Sequence, residues 1–137
     1  MKIITKSAAE TKKFAAGMAK KLKKGDILCL QGGLGSGKTT FIQGIAKGFG
    51  VKEIPTSPTF VLMNIYKGRL PLYHFDIYRA ESAEEIVNIG YEEFFYGNGV
   101  AVVEWAERLK ELMPDKYTEI KFKMLVRNKR EITVRQV

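Results

Sequence analysis

A lysine, three hydroxyls and four glycines fall within residues 32–40, close enough together to grip a phosphate. Gly32-Gly33-Leu34-Gly35-Ser36-Gly37-Lys38-Thr39 follows the pattern of Gly, four free positions, Gly-Lys and Ser/Thr without a mismatch. Each residue type has a mechanical reason. Glycines such as Gly33, Gly35 and Gly37 let successive backbone N–H groups turn inward into an anion nest. A helix starting beside them adds unpaired N–H groups and the positive end of its dipole. Lys38 can then reach the β- and γ-phosphates of a nucleoside triphosphate, and the Thr39 hydroxyl can hold Mg²⁺. A glycine-rich turn that binds nothing would not keep lysine and hydroxyl in this register. The motif therefore predicts nucleoside triphosphate binding.

Hydrolysis needs a carboxylate near the metal, usually at the tip of a neighbouring buried strand. Val100-Ala101-Val102-Val103-Glu104 has that form. Glu104 can bind Mg²⁺, directly or through water, or orient the attacking water. Asp76, late in another strand, is the rival acid, ranked second because its strand is less apolar. His74 lies two positions before it and shares its face, as a site or as a solvated edge. These two alone lack the ligands for zinc. Pro55-Thr56-Ser57-Pro58-Thr59 is a constrained loop placed to offer Thr56 or Thr59 to a γ-phosphate. Asn128-Lys129-Arg130-Glu131 imitates the guanine-reading sequence of GTPases, but glutamate is a methylene too long there. It reads as a hairpin turn, so ATP is preferred to GTP.

Elements must hold these residues in place. Lys2–Thr5 predicts a strand, and Ser7 with Glu10 a capping box opening a helix to about Lys23. Phe14, Met18 and Leu22 recur as its buried stripe, with Thr11 on the same side and Gly25 as the closing glycine. A buried strand over Asp26–Leu30 and a helix over Thr40–Ala46 flank the phosphate loop, which is the context the motif requires. Residues 60–66 and 71–78 predict a β-hairpin. A second capping box, Ser82 with Glu85, opens short helical pieces through Ile89 and Phe95. Val100–Val103 reads as a parallel strand buried on both faces. A helix over Ala106–Met113 is stopped by Pro114. Tyr117–Met124 and Ile132–Val134 alternate as an antiparallel extension turning at Asn128–Arg130.

The chain has 137 residues, which predicts one domain over residues 1–137. Hydrophobic residues make up 45%, yet no apolar run approaches the ~20 residues of a membrane span. Together with an N-terminus lacking the apolar core of a signal peptide, this predicts a cytoplasmic protein without membrane association. The one cysteine, Cys29, reads as a core side chain. The net charge of +8 favours an anionic partner. Lys12, Lys13, Lys20, Lys21, Lys23 and Lys24 form either a solvated helix face or a nucleic-acid footprint.

Four blocks in series resemble one family. Gly33–Thr40, Ser57-Pro58-Thr59-Phe60, His74-Phe75-Asp76-Ile77-Tyr78-Arg79 and Val103-Glu104-Trp105-Ala106-Glu107 are similar in order and spacing to the TsaE family. These are small bacterial ATPases required for the threonylcarbamoyladenosine modification of tRNA. The resemblance spans nearly the whole chain. It implies a P-loop α/β fold of three layers, with a mostly parallel central sheet and antiparallel additions. It implies that Lys38 and the loop residues Gly33, Gly35, Ser36 and Gly37 contact phosphates, that Thr40 adds a hydroxyl, and that Thr39 and Glu104 hold Mg²⁺. It implies that Asp76 is essential to hydrolysis or switching. Trp105 would lie near the nucleotide or the partner, and Thr11 and Arg130 would flank adenine or ribose. The implied partners are the TsaD–TsaB transferase pair, with tRNA reached through the complex. No arginine finger shows in the loop, although Arg79 is a candidate, so the isolated chain is expected to be a weak ATPase. The competing reading is a small-molecule kinase, but no arginine-rich lid is apparent.

Overall fold

The computed structural model describes residues 1–33, 35–56, 63–105 and 111–137, with Arg79 described in its backbone only. Among them, seven strands form one sheet in the order β1-β7-β6-β2-β5-β4-β3. These are β1 (Lys2–Thr5), β2 (Ile27–Gln31), β3 (Met63–Lys67), β4 (Pro71–Asp76), β5 (Val100–Glu104), β6 (Thr118–Met124) and β7 (Arg130–Gln136). The four central strands, β6, β2, β5 and β4, run parallel, and the outer pairings are antiparallel.

Helices cover both faces. On one, α1 (Ala8–Ala19) and α2 (Lys38–Gly48) pack over Leu28, Leu30, Val100 and Val102. On the other, the short helices α3 (Ala83–Asn88) and α4 (Tyr91–Phe95) bring Ile86 and Phe95 onto Cys29, Phe75, Ala101 and Val103. Consecutive residues of β2 and β5 thus feed two different cores. That is why both strands read as unbroken apolar runs rather than alternating ones. Buried Cys29 is one of these core side chains, its sulfur 3.4 Å from that of Met113.

The first helix departs from its sequence pattern. It ends at Ala19, and its buried stripe is Thr11, Ala15 and Ala19. Phe14 and Met18 are only partly covered. The reason lies in α2. A Cβ on Gly44 would stand 2.6 Å from the Ala15 Cβ, and one on Gly48 would stand 2.6 Å from the Ala19 Cβ. Glycines facing alanines let the backbones close up, so the small residues take the contact. The end of α1 and the turn after it are then held from outside: Arg69 donates to Ala19 O, the last carbonyl of α1, and to Leu22 O beyond it, at 2.6 and 2.9 Å. Gly25 has a left-handed φ of 89° but belongs to the turn into β2, several residues beyond the helix. Lys20, Lys21, Lys23 and Lys24 therefore lie past α1 rather than on it.

Two further expectations shift. The tail strands are paired antiparallel as anticipated, but they are not an appendage. β6 lies parallel against β2 and completes the centre of the sheet. Their turn runs over Val126–Asn128, with Arg127 and Asn128 in the left-handed region at φ 59° and 61°, so Arg130 already stands in β7. Ser82 makes no capping hydrogen bond. Glu85 instead accepts from the Glu81 N–H at 2.9 Å. The first box is kept, with Ser7 accepting from the Glu10 N–H at 3.1 Å. The expected helix over 106–113 falls largely outside the described residues.

Candidate functional site

Three parallel strands, β2, β5 and β4, end side by side, and each delivers part of one cleft. Loop residues 32–37 follow β2 and lead into α2. Gly37 caps that helix with a left-handed φ of 104° and no side-chain hydrogen bond, so the helix dipole faces the loop uncovered by a side chain. Gly32 is also tightly enclosed: a Cβ there would meet Ser36 Oγ at 2.7 Å and the Phe122 carbonyl at 3.0 Å. The loop thus rests on β6. Ser36 is buried with no hydrogen-bond partner for its hydroxyl.

β5 ends on Glu104, and the parallel register places Asp76, at the end of β4, directly beside it. Both carboxylates are buried, at 3% and 6% exposure. Asp76 accepts from the Tyr78 N–H at 3.0 Å and so opens the 3-10 turn that follows β4. His74 is fully buried one pleat below, with Nε2 at 2.6 Å from Glu104 Oε2. It is therefore part of the site's interior and not a solvated edge. Its Nδ1 has no partner. Donation from Nε2–H to the carboxylate leaves only a lone pair unmet at Nδ1, which costs less than a stranded N–H.

The next residue, Trp105, turns sharply into the left-handed region with φ 62° while its N–H bonds Leu30 O at 3.1 Å. That turn swings the indole over the loop. The Lys38 ammonium lies 3.5 Å from the ring centroid, and Tyr78 packs on the same indole at 4.9 Å between centroids. Lys38 is buried and also donates to the carbonyls of Gly32 and Gly33. From the far side, Arg130 lies against Gly37, where a Cβ would meet its Cδ and Nε at 2.9 Å.

The result is a cleft of ≈ 310 Å³ bordered by Gly35, Ser36, Gly37, Lys38, Thr39 and Thr40 on the loop and helix. Asp76, Glu104, Trp105 and Arg130 close it from the other elements, together with Tyr78, which the sequence reading did not name for the site. Strand alternation could not have found it, because β4 ends at Asp76 and Tyr78 stands in the 3-10 turn that follows. Gly33 belongs to the loop but not to the lining, and accepts from the Ser36 N–H at 3.2 Å. Thr11 is elsewhere. It is fully buried in α1, its hydroxyl 2.7 Å from that of Thr5 and 3.2 Å from the Ser7 carbonyl. Those bonds and that burial leave no surface for a ligand, so Thr11 is not carried into the site. Thr56 is exposed and not part of the lining, while Thr59 and the Ser57–Phe60 block lie outside the described residues. So does the Arg79 side chain.

A cradle of glycines at a helix start, a lysine, hydroxyls and two adjacent carboxylates can take an anion and a hard cation together. No helix among the described residues is long and apolar enough to cross a membrane. Comparison with known proteins gives a consistent result. Residues 5–132 match the family described as Threonylcarbamoyl adenosine biosynthesis protein TsaE. The tRNA threonylcarbamoyladenosine biosynthesis protein TsaE of Treponema pallidum is 42% identical over 134 residues, covering 98% of this chain and 99% of the relative. The Bacillus subtilis protein of the same name is 45% identical over 130 residues, covering 94% and 81%. The crystal structure of Bacillus subtilis YdiB superposes with a TM-score of 0.82 at 40% identity, over 98% of this chain and 83% of that one. A family match across nearly the whole chain, relatives 42% and 45% identical over most of their length and a shared fold lead to one conclusion: the chain belongs to the TsaE family.

Proposed function

We propose that this chain is an accessory ATPase in the threonylcarbamoyladenosine modification of tRNA. In this reading it binds ATP and Mg²⁺, hydrolyses ATP, and supports turnover of the TsaD–TsaB transferase without transferring the group itself. Residues 1–137 act as one domain in the cytoplasm. The observation that carries the reading is the convergence of Lys38, Thr39, Asp76 and Glu104 on one cleft at the carboxyl ends of parallel strands, within a TsaE-family chain.

The residues fit the ligands. Oxygen donors from a hydroxyl and one or two carboxylates suit Mg²⁺, which keeps several waters and is usually shared with phosphates. Thr39 and Glu104 would hold it; when bound, it offsets charge developing on the phosphate oxygens. Lys38 would leave the indole and loop carbonyls for the β- and γ-phosphates, a stronger, charge-assisted pairing. The loop N–H groups and Thr40 would complete the cradle. Asp76 would orient water or couple the site to the turn at Tyr78. Arg130, positioned against the loop, and Trp105 would border the nucleoside.

The experiment is ATP turnover by the purified chain, alone and with TsaD–TsaB and tRNA. Slow turnover alone, rising at least about tenfold with the partners, is expected. Rapid turnover that ignores the partners would overturn the accessory role. Phosphorylation of a metabolite or nucleoside in an acceptor screen would replace it with a kinase. Binding without turnover, even in the full mixture, would leave only a nucleotide-binding scaffold.

A further inference from the structure

The sheet has a free edge that the cleft leaves unused. Among the described residues β1 pairs only with β7. Met1 and Val134 exchange both backbone hydrogen bonds, at 2.9 and 2.8 Å. Alternation along an antiparallel ladder then turns the N–H and C=O of Lys2 and Ile4 outward. Such an edge is a template for another strand.

Two apolar grooves lie along this edge. On the α1 face, a groove of ≈ 740 Å³ is floored by Ile3, Phe14, Met18 and Val134. Phe14 and Met18 are the side chains that the close α1–α2 packing leaves half covered. Around the end of β1, a groove of ≈ 820 Å³ runs past Met124, Leu125 and Val126. Ile4 borders both and is 50% exposed, and Val126 is 79% exposed. Lysines stand at the margins: Lys13 and Lys21 on the first groove, Lys6 and Lys129 on the second. Glu10 is the one acidic lining residue.

We infer that this edge docks an extended protein segment, apolar at its centre and acidic at its flanks. An added strand sends alternate side chains to opposite faces, so those on the α1 face lie over the first groove and the run continues past the end of β1 to the second, while its backbone bonds Lys2 and Ile4. Charge decides among occupants. A second copy of the chain would set these lysines against their own equivalents, and like charges opposed across strands are destabilising. Nucleic acid would use the lysines and leave two apolar grooves facing water. The inference does not rest on the ATPase reading, since none of these residues lines the cleft.

The test uses the full chain and a labelled synthetic peptide, Asp-Glu-Val-Leu-Val-Phe-Glu-Asp, with a control whose central apolar residues are serine. Binding is read by fluorescence anisotropy, and amide hydrogen exchange is followed at Lys2 and Ile4. The apolar peptide should bind and slow exchange at both amides. Ile4→Thr, which keeps strand propensity, should weaken binding roughly tenfold, as should Lys13→Glu combined with Lys21→Glu. Unchanged melting temperatures would show that these surface variants remain folded. Equal binding of the serine peptide, unchanged exchange at Lys2 and Ile4, or no binding would overturn the inference. So would dimerisation of the chain alone that Ile4→Thr abolishes, which would identify a second copy. Binding of tRNA that depends on the lysines but not on Ile4, with no peptide binding, would identify a nucleic-acid footprint instead.

Discussion

Glu104 has one carboxylate oxygen committed to His74, 2.6 Å away, and its other oxygen is left for the cleft. The imidazole is therefore a positioning group for the acid. Replacing Glu104 by alanine should leave nucleotide affinity within about threefold while lowering turnover by about 10²-fold or more. Fluorescence of Trp105, the only tryptophan in the chain, reads the binding half of that experiment directly. Unchanged hydrolysis would move the role to Asp76. His74→Ala should raise the Mg²⁺ concentration needed for the nucleotide-induced fluorescence change by roughly tenfold, with His74→Gln recovering part of it because its amide can still donate. Equal behaviour of the two variants would mean that His74 merely fills space. At this scale the loop was legible because its residues are contiguous, and Glu104 because it ends an unbroken apolar strand. The pairing of His74 with Glu104 was not. Alternation puts His74 and Asp76 on one face, but their neighbours depend on the register between β4 and β5, which a long helical crossover separates in sequence. The misplacement of Thr11 has a similar cause, since a threonine on a helix face carries no mark of which element will cover it.

The α1–α2 contact shows how an element can be read correctly in kind and wrongly in orientation. Large apolar residues dominate a periodicity argument, so Phe14 and Met18 outweighed Ala15 and Ala19, whereas Leu22 is buried as expected but past the helix end. Glycines on the facing helix reverse that weighting, because they make close approach possible only where both sides are small. Gly44→Ala tests it with opposing terms. Helix propensity favours alanine by about 1 kcal/mol. The new Cβ would stand 2.6 Å from both the Ala15 Cβ and the Lys12 carbonyl, where overpacking costs typically 1–3 kcal/mol. Net destabilisation is expected in urea unfolding; a stabilised variant would show that the helices separate freely. The hairpin tip has a matching duty. Arg69→Ala removes hydrogen bonds to the Ala19 carbonyl of α1 and the Leu22 carbonyl just past it, and the guanidinium's stack on Phe49, 4.7 Å from its ring centroid. A loss of about 1–3 kcal/mol is expected in the same measurement.

Across the whole molecule, the α/β class and the mostly parallel centre followed from the resemblance to the TsaE family, with Val100–Val103 legible by itself as a buried parallel strand. The position of the tail did not, because alternation in β6 and β7 marks strands without saying which strand they join. Their true place makes them part of the loop's support. β6 flanks β2, Phe122 backs Gly32, and Arg130 rests on Gly37. Deleting residues 117–137 should therefore abolish nucleotide binding and the cooperative thermal transition together. A truncated chain that still melted sharply would show the tail to be dispensable. The same topology bears on how the protein is made. Strand β2 is complete by residue 31, but its two neighbours arrive only with residues 100–104 and 118–124. At roughly 5–20 residues per second, the ribosome leaves Leu28, Cys29 and Leu30 without a sheet for several seconds. The newborn chain thus carries this apolar strand unpaired until residues 100–124 have been made, so its exposure to chaperones and to misfolding peaks before Glu104 can take its place beside Asp76.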